Sequence, residues 1–163
     1  MLRILKKHYG EYLTKFSFGA TCAIITNLGL IMGLYLMPNA RFSIIAGILV
    51  VAVADNISDS FGIHIYQESE KRKQYEVWLS TFTNFLSRML VSLVFILFIL
   101  LLPMAIAVIC SLAWGLLLLT VISYFIASNE NSKPYLVVLE HLGIAALVIV
   151  VSKYLGLLLT KHF

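Results

Sequence analysis

Two aspartates, Asp55 and Asp59, lie inside a long apolar run and offer this chain its most distinctive chemistry. Four residues apart on a helix, they share one face, and continuing that face by three or four residues reaches Gly62, Tyr66 and Glu70. Carboxylates are costly in lipid, so by default they face a protein interior or a water-filled path. Such a stripe suits two chemistries. Carboxylate oxygens are ligands for hard divalent cations, and carboxyls in a dry setting can relay protons. The alternative is structural: each acid hydrogen-bonds a neighbouring helix and holds the packing.

The remaining candidates are weaker. His64 lies on roughly the opposite face from Asp55 and pairs with Glu68 at i, i+4, either as a ligand pair or as an interfacial hydrogen bond. Gln67 to Lys73 form a mixed charge run of the kind that makes a solvated helix face. Cys22, Thr26 and Asn27 place soft or polar atoms in an earlier apolar run, and Met32 adds a thioether suited to a soft metal. Taken singly, Cys22 and Met32 read as core. Glu140 and His141 open the last apolar run and Lys153 follows within it; they can move protons, or neutralise a loop and snorkel to an interface. Serine-hydrolase, zinc-protease and P-loop motifs are missing, so no enzyme is expected.

These residues are carried by an unusually apolar chain. Its 163 residues are 61% hydrophobic and 12% charged, with a mean hydropathy of +0.96. A soluble domain needs more polar surface than that, and a membrane barrel would show alternating segments of about ten residues. The expectation is an all-α polytopic membrane protein with one domain, residues 1–163. Residues 1–15 alternate apolar and basic positions as an interfacial amphipathic segment does. Five spans follow, at about 16–37, 43–66, 80–102, 104–127 and 135–159, each close to the ~20 helical residues a bilayer requires. Span one is read as retained rather than cleaved, and a turn at Met37-Pro38-Asn39 ends it. The helix of span two is expected to run on through Lys73. Pro103 closes span three, and Ser128 to Pro134 form a polar break before span five. Gly29 and Gly33 form a small-xxx-small pair that lets helices approach closely. Cys22 and Cys110 read as small buried hydrophobes rather than as a disulfide.

Orientation follows from the basic residues. Arg3, Lys6, Lys7, Lys15, Lys71, Arg72, Lys73, Arg88 and Lys133 fall on one side, with only Arg41 and Lys161 on the other. Nine against two predicts a cytoplasmic N-terminus and a C-terminus outside or in a lumen. The net charge of +4 is thereby explained by membrane topology, with no nucleic acid implied. The lipid bilayer is the expected surrounding, of a cell (inner) membrane or of an organelle.

Three stretches resemble the vacuolar iron transporter family, which includes plant vacuolar and yeast CCC-type iron and manganese transporters. GATCAIITNLGLIMGL (19–34) is similar to the family's GATDGLVTTFALVAG-type opening, and ADNISDSFGIHIYQESE (54–70) to its ADGISMALGEYLSVKSE. EHLGIAALVIVVSKYLGLLL (140–159) looks like its last helix, with an early and a late glycine. The span-two motif is the specific one: Ala54, Asp55, Ile57, Ser58, Gly62, Ser69 and Glu70 match as they stand. Cys22 stands where the family has an aspartate, Asp59 where it has a methionine, and Ile63 where it has a glutamate. The glutamate-rich helical domain that the family's plant-type members carry between spans two and three is missing, since that connection is only Glu68 to about Ser80. The resemblance implies a homodimer that exports iron or manganese from the cytosol in exchange for protons. The metal path would lie near the dimer axis, with no permanently bound cofactor. Asp55 and Asp59 would carry the cation or proton, Cys22 would assist, and Glu70 would stand at the cytoplasmic mouth. A reading from another class is a non-transporting scaffold or assembly subunit of the same fold. There the aspartates bond between helices and the glycines set a dimer interface.

Overall fold

A computed structural model describes the backbone of residues 2–129 and 133–162, and the side chains of 16–128 and 133–162. It consists of five helices in chain order: α1 (Leu2–Leu34), α2 (Ala40–Ser69), α3 (Gln74–Leu101), α4 (Met104–Asn129) and α5 (Pro134–His162). No strand occurs among the described residues. All five helices contain a stretch long and apolar enough to cross a bilayer, the mark of an integral membrane protein. In α1 that stretch is Phe16–Leu34. The backbone of the proposed interfacial segment continues α1 without a break, while the side chains that would define its amphipathic face lie outside the described ones. Residues 130–132 of the polar break also lie outside the described residues.

The helix ends follow local chemistry. Asn39 takes a left-handed conformation (φ 56°) after Pro38, which turns the chain from α1 into α2. At the other end, α2 stops at Ser69 and does not continue through Lys73. Lys71 is left-handed (φ 55°), its N–H bonds the Glu68 carbonyl, and the Arg72 N–H reaches back to the Gln67 carbonyl. This is a Schellman closure with lysine in the position glycine usually fills, so the stop leaves no glycine in the sequence to betray it. α3 consequently starts at Gln74, earlier than the expected span. At its far end, Arg41 donates to the carbonyls of Leu100 and Leu102, satisfying acceptors that a helix C-terminus leaves open.

α1 is the central helix: it packs against α2, α3, α4 and α5, while α3 packs against α1, α2 and α4. Ala20, Ala23, Ile24, Leu28 and Ile31, spaced three and four apart, are buried and line the core. The glycine pair works as expected, but within the chain. Gly29 lies against Val148 and Ser152, and Gly33 against the Ser152 backbone, so both serve the α1–α5 contact. A Cβ on Gly156 would overlap the Gly33 carbonyl. Gly62, in contrast, has open space where its side chain would be. α2 has an exposed face of Ala54, Asp55, Ile57, Ser58, Phe61, Gly62, Ile65 and Tyr66.

Gly156→Val should destabilise the α1–α5 seam by about 1–3 kcal/mol, seen as a lower Tm in detergent. Gly62→Ala should leave Tm unchanged or raise it slightly, by about 0.5–1 kcal/mol of helix propensity. An equal loss in both would mean that Gly62 is already packed in the protein as purified.

Candidate functional site

α3 presents a row of polar side chains spaced at about one helical turn: Ser80, Asn84, Arg88 and Ser92, all buried. α2 answers with Asn56, Ser60 and His64, also buried and also four apart. Each row faces the other across the α2–α3 seam, so a polar ladder replaces the usual apolar contact. Asn56 Nδ2 donates to the Phe85 carbonyl at 2.9 Å, and Asn84 Nδ2 donates to Ser60 Oγ at 3.0 Å. Ser60 Oγ reaches Asn56 Oδ1 at 3.4 Å. On the α1 side, Asn27 Nδ2 donates to Ser92 Oγ at 2.9 Å. In apolar surroundings these bonds fix register, because breaking one strands its partner.

Asp55 and Asp59 sit beside this ladder in the middle of α2 and share a single counter-ion. Arg88 Nη2 donates to Asp55 Oδ2 and Arg88 Nη1 to Asp59 Oδ2. One planar guanidinium therefore bridges two carboxylates, using the fork geometry that distinguishes arginine from lysine. The burial is lopsided. The Arg88 side chain is 4% exposed, whereas Asp55 and Asp59 keep 47% and 42%. The positive charge comes from within the bundle and the negative charges look outward.

Arg88 thus corrects the sequence reading of it as a flanking cytoplasmic charge. It faces the helix bundle, and its removal from the nine basic residues on that side leaves eight against two. The signal was present in the row Ser80, Asn84, Arg88, Ser92, a polar residue every four positions in an otherwise apolar run.

Other candidates divide between this site and elsewhere. Cys22 is partly buried and interacts electrostatically with Arg88, Asp55 and Asp59. Asn27 is 1% exposed and lines, with Thr26, Asn56, Ser92 and Arg88, a small recess behind the guanidinium. Asn27 Oδ1 accepts no hydrogen bond among the described residues. Met32 belongs to the apolar core. Glu70 caps the end of α2, exposed, and eleven residues of helix set it roughly 16 Å along the axis from Asp59. His64 is buried, with Nδ1 3.1 Å from Thr81 Oγ1, Nε2 3.5 Å from Glu68 and its ring edge-on to Trp78. Glu140 is exposed on α5, whereas its neighbour His141 bonds Ser123 across the α4–α5 contact at 2.7 Å. Among the described residues, no three His, Cys, Asp or Glu side chains converge in a metal-holding cluster.

A groove of about 510 Å³ opens on Asp59, lined by Phe18, Ser58, Gly62, Tyr66, Ser80 and Asn84 among others. It gives one carboxylate of the pair a polar and apolar forecourt. The site can hold one further positive charge, since two carboxylates and one guanidinium sum to −1.

Arg88→Met should cost about 3–5 kcal/mol, because it leaves two carboxylates without their partner. Asp55→Asn/Asp59→Asn combined with Arg88→Met should recover most of that loss in thermal unfolding. Additive losses instead would mean that the three side chains do not act as a unit.

Comparison with family models, with curated proteins and with solved structures finds no match to this chain.

Proposed function

We propose that this protein is a cation transporter of the vacuolar-iron-transporter type, moving a divalent metal, iron or manganese, out of the cytosol against protons. The observation that carries the proposal is the half-open carboxylate pair in the middle of α2. Each carboxylate gives Oδ2 to Arg88 yet stays nearly half exposed, and Asp59 also opens on the groove. In lipid that arrangement requires water or protein over the carboxylates. A homodimer formed through the outer face of α2 meets this need. Ala54, Ser58 and Gly62 form a small-residue row beside the acids, and no described residue lies where a Gly62 side chain would be. The eight-to-two bias of basic residues favours a cytoplasmic N-terminus and a C-terminus outside or in a lumen. Cation and protons would compete for the same two carboxylates, so proton entry from the far side releases the cation. Cys22 is near enough to assist; Glu70 would act only as a distant charge at the cytoplasmic end.

One observation favours the second reading, a membrane scaffold: Arg88 already satisfies both acids and ties α2 to α3. Reconstitution in liposomes separates the two. Under a pH gradient, wild type should carry manganese or ferrous iron, and Asp55→Asn/Asp59→Asn should carry none. Equal behaviour of the two proteins would sink the transport reading. A scaffold would show no Tm shift with any divalent ion, since only binding to the folded state raises Tm.

A further inference from the structure

We propose that Arg88 is a tethered counter-ion, seated in the cation position between Asp55 and Asp59, that yields this position to a divalent cation by turning into the recess around Asn27. The inference rests on the transport reading above and assigns its gating charge.

Three observations carry it. Each terminal nitrogen of Arg88 bonds a different carboxylate, so the guanidinium stands where a bridging cation would stand. The approach is divided by side: Arg88 is 4% exposed and enters from the bundle, while the 47% and 42% exposed carboxylates face outward. An incoming cation therefore meets the oxygens without passing the arginine. Arg88 also borders a recess of about 10 Å³, close to the space one water requires, lined by Thr26, Asn27, Asn56 and Ser92 together with the apolar Ala23, Val51 and Ala52. Asn27, 1% exposed, brings to this lining an acceptor oxygen that no group among the described residues serves. Guanidinium is a donor-only group with five N–H bonds, so an unserved acceptor is what it needs on leaving a carboxylate.

Charge supplies the drive. The triad carries −1 as it stands; a divalent cation added beside a stationary arginine would make it +1, two like-signed neighbours in a medium that screens poorly. A small turn of the side chain, about a water's width, breaks both carboxylate bonds and moves the positive charge away from the newcomer. When the cation departs, the arginine returns and the carboxylates are never left bare. The device lets an empty carrier reset without exposing two unpaired acids to lipid.

Manganese binding to full-length protein in lipid nanodiscs, read from loss of the free-ion electron paramagnetic resonance signal, tests this. Arg88→Gln should bind manganese about tenfold or more tightly than wild type, because the competing charge is gone. Asn27→Leu keeps the branching but removes the acceptor and fills the recess; it should weaken binding about tenfold by holding the arginine in place. A purely structural arginine predicts the opposite sign for Arg88→Gln, a loss of binding with the loss of packing. If Arg88→Gln does not fold, Asn27→Leu alone decides. Unchanged affinity in Asn27→Leu, or equal or weaker affinity in Arg88→Gln, overturns the proposal. When wild type nonetheless carries manganese flux, the transport reading survives that failure. Absence of flux and of binding in all three proteins removes the transport reading, and this one with it.

Discussion

The bridge from Arg88 to Asp55 and Asp59 is the interaction on which the seating of α2 against α3 depends. Three charged groups in an apolar bundle are tolerable only when they neutralise one another at close range, because the medium neither solvates nor screens them. That requirement fixes the rotation of α2 about its axis. It also fixes its height against α3, since Asp55 and Asp59 must straddle one guanidinium. The bonds from Asn56 to the Phe85 carbonyl and from Asn84 to Ser60 keep the same α2–α3 register, while Asn27 ties α1 to Ser92 of α3. A slip of α2 by one turn would unpair both α2–α3 bonds together with the charges.

The apolar part of the bundle follows different rules. Lipid is as apolar as the side chains, so helices in a bilayer associate by fit and not by escape from water. α1 accordingly offers alanines and glycines where neighbours come closest: Gly29 and Gly33 toward α5, and Gly19 toward Asn84 and Ser87 of α3. This close seating of α1 brings Cys22, Thr26 and Asn27 up behind Arg88. Packing on one side of α1 thus builds part of the polar environment on the other. α2 is left at the edge, with its acids and small residues on a face that stays exposed among the described residues.

Much of this was legible. The apolar runs, the turn at Pro38-Asn39, Pro103 and the polar break gave five helices, because length and hydropathy depend only on local composition. The shared face of Asp55 and Asp59, and the opposition of His64 to it, followed from helical periodicity alone. The end of α2 at Ser69 was not legible, since a lysine takes the left-handed position that glycine would have advertised. Glu70 continues the aspartates' stripe in sequence but lies beyond their reach in space, a matter of axial rise and not of face.

By itself, the sequence determined the class of the molecule, the number of helices and the two acids most in need of explanation. It could not say what neutralises them. Arg88 lies twenty-nine residues from Asp59 and thirty-three from Asp55. A basic residue in an apolar run reads equally as a flanking charge or as a buried partner. Periodicity tells which face of its own helix a residue occupies; only the packing of α3 against α1 and α2 decides what that face meets. Tertiary structure therefore turned two isolated carboxylates into a triad with one open side, and gave the glycines of α1 to α5. The physical reason is the same in both cases: pairing energy depends on distance in space, which local pattern does not encode.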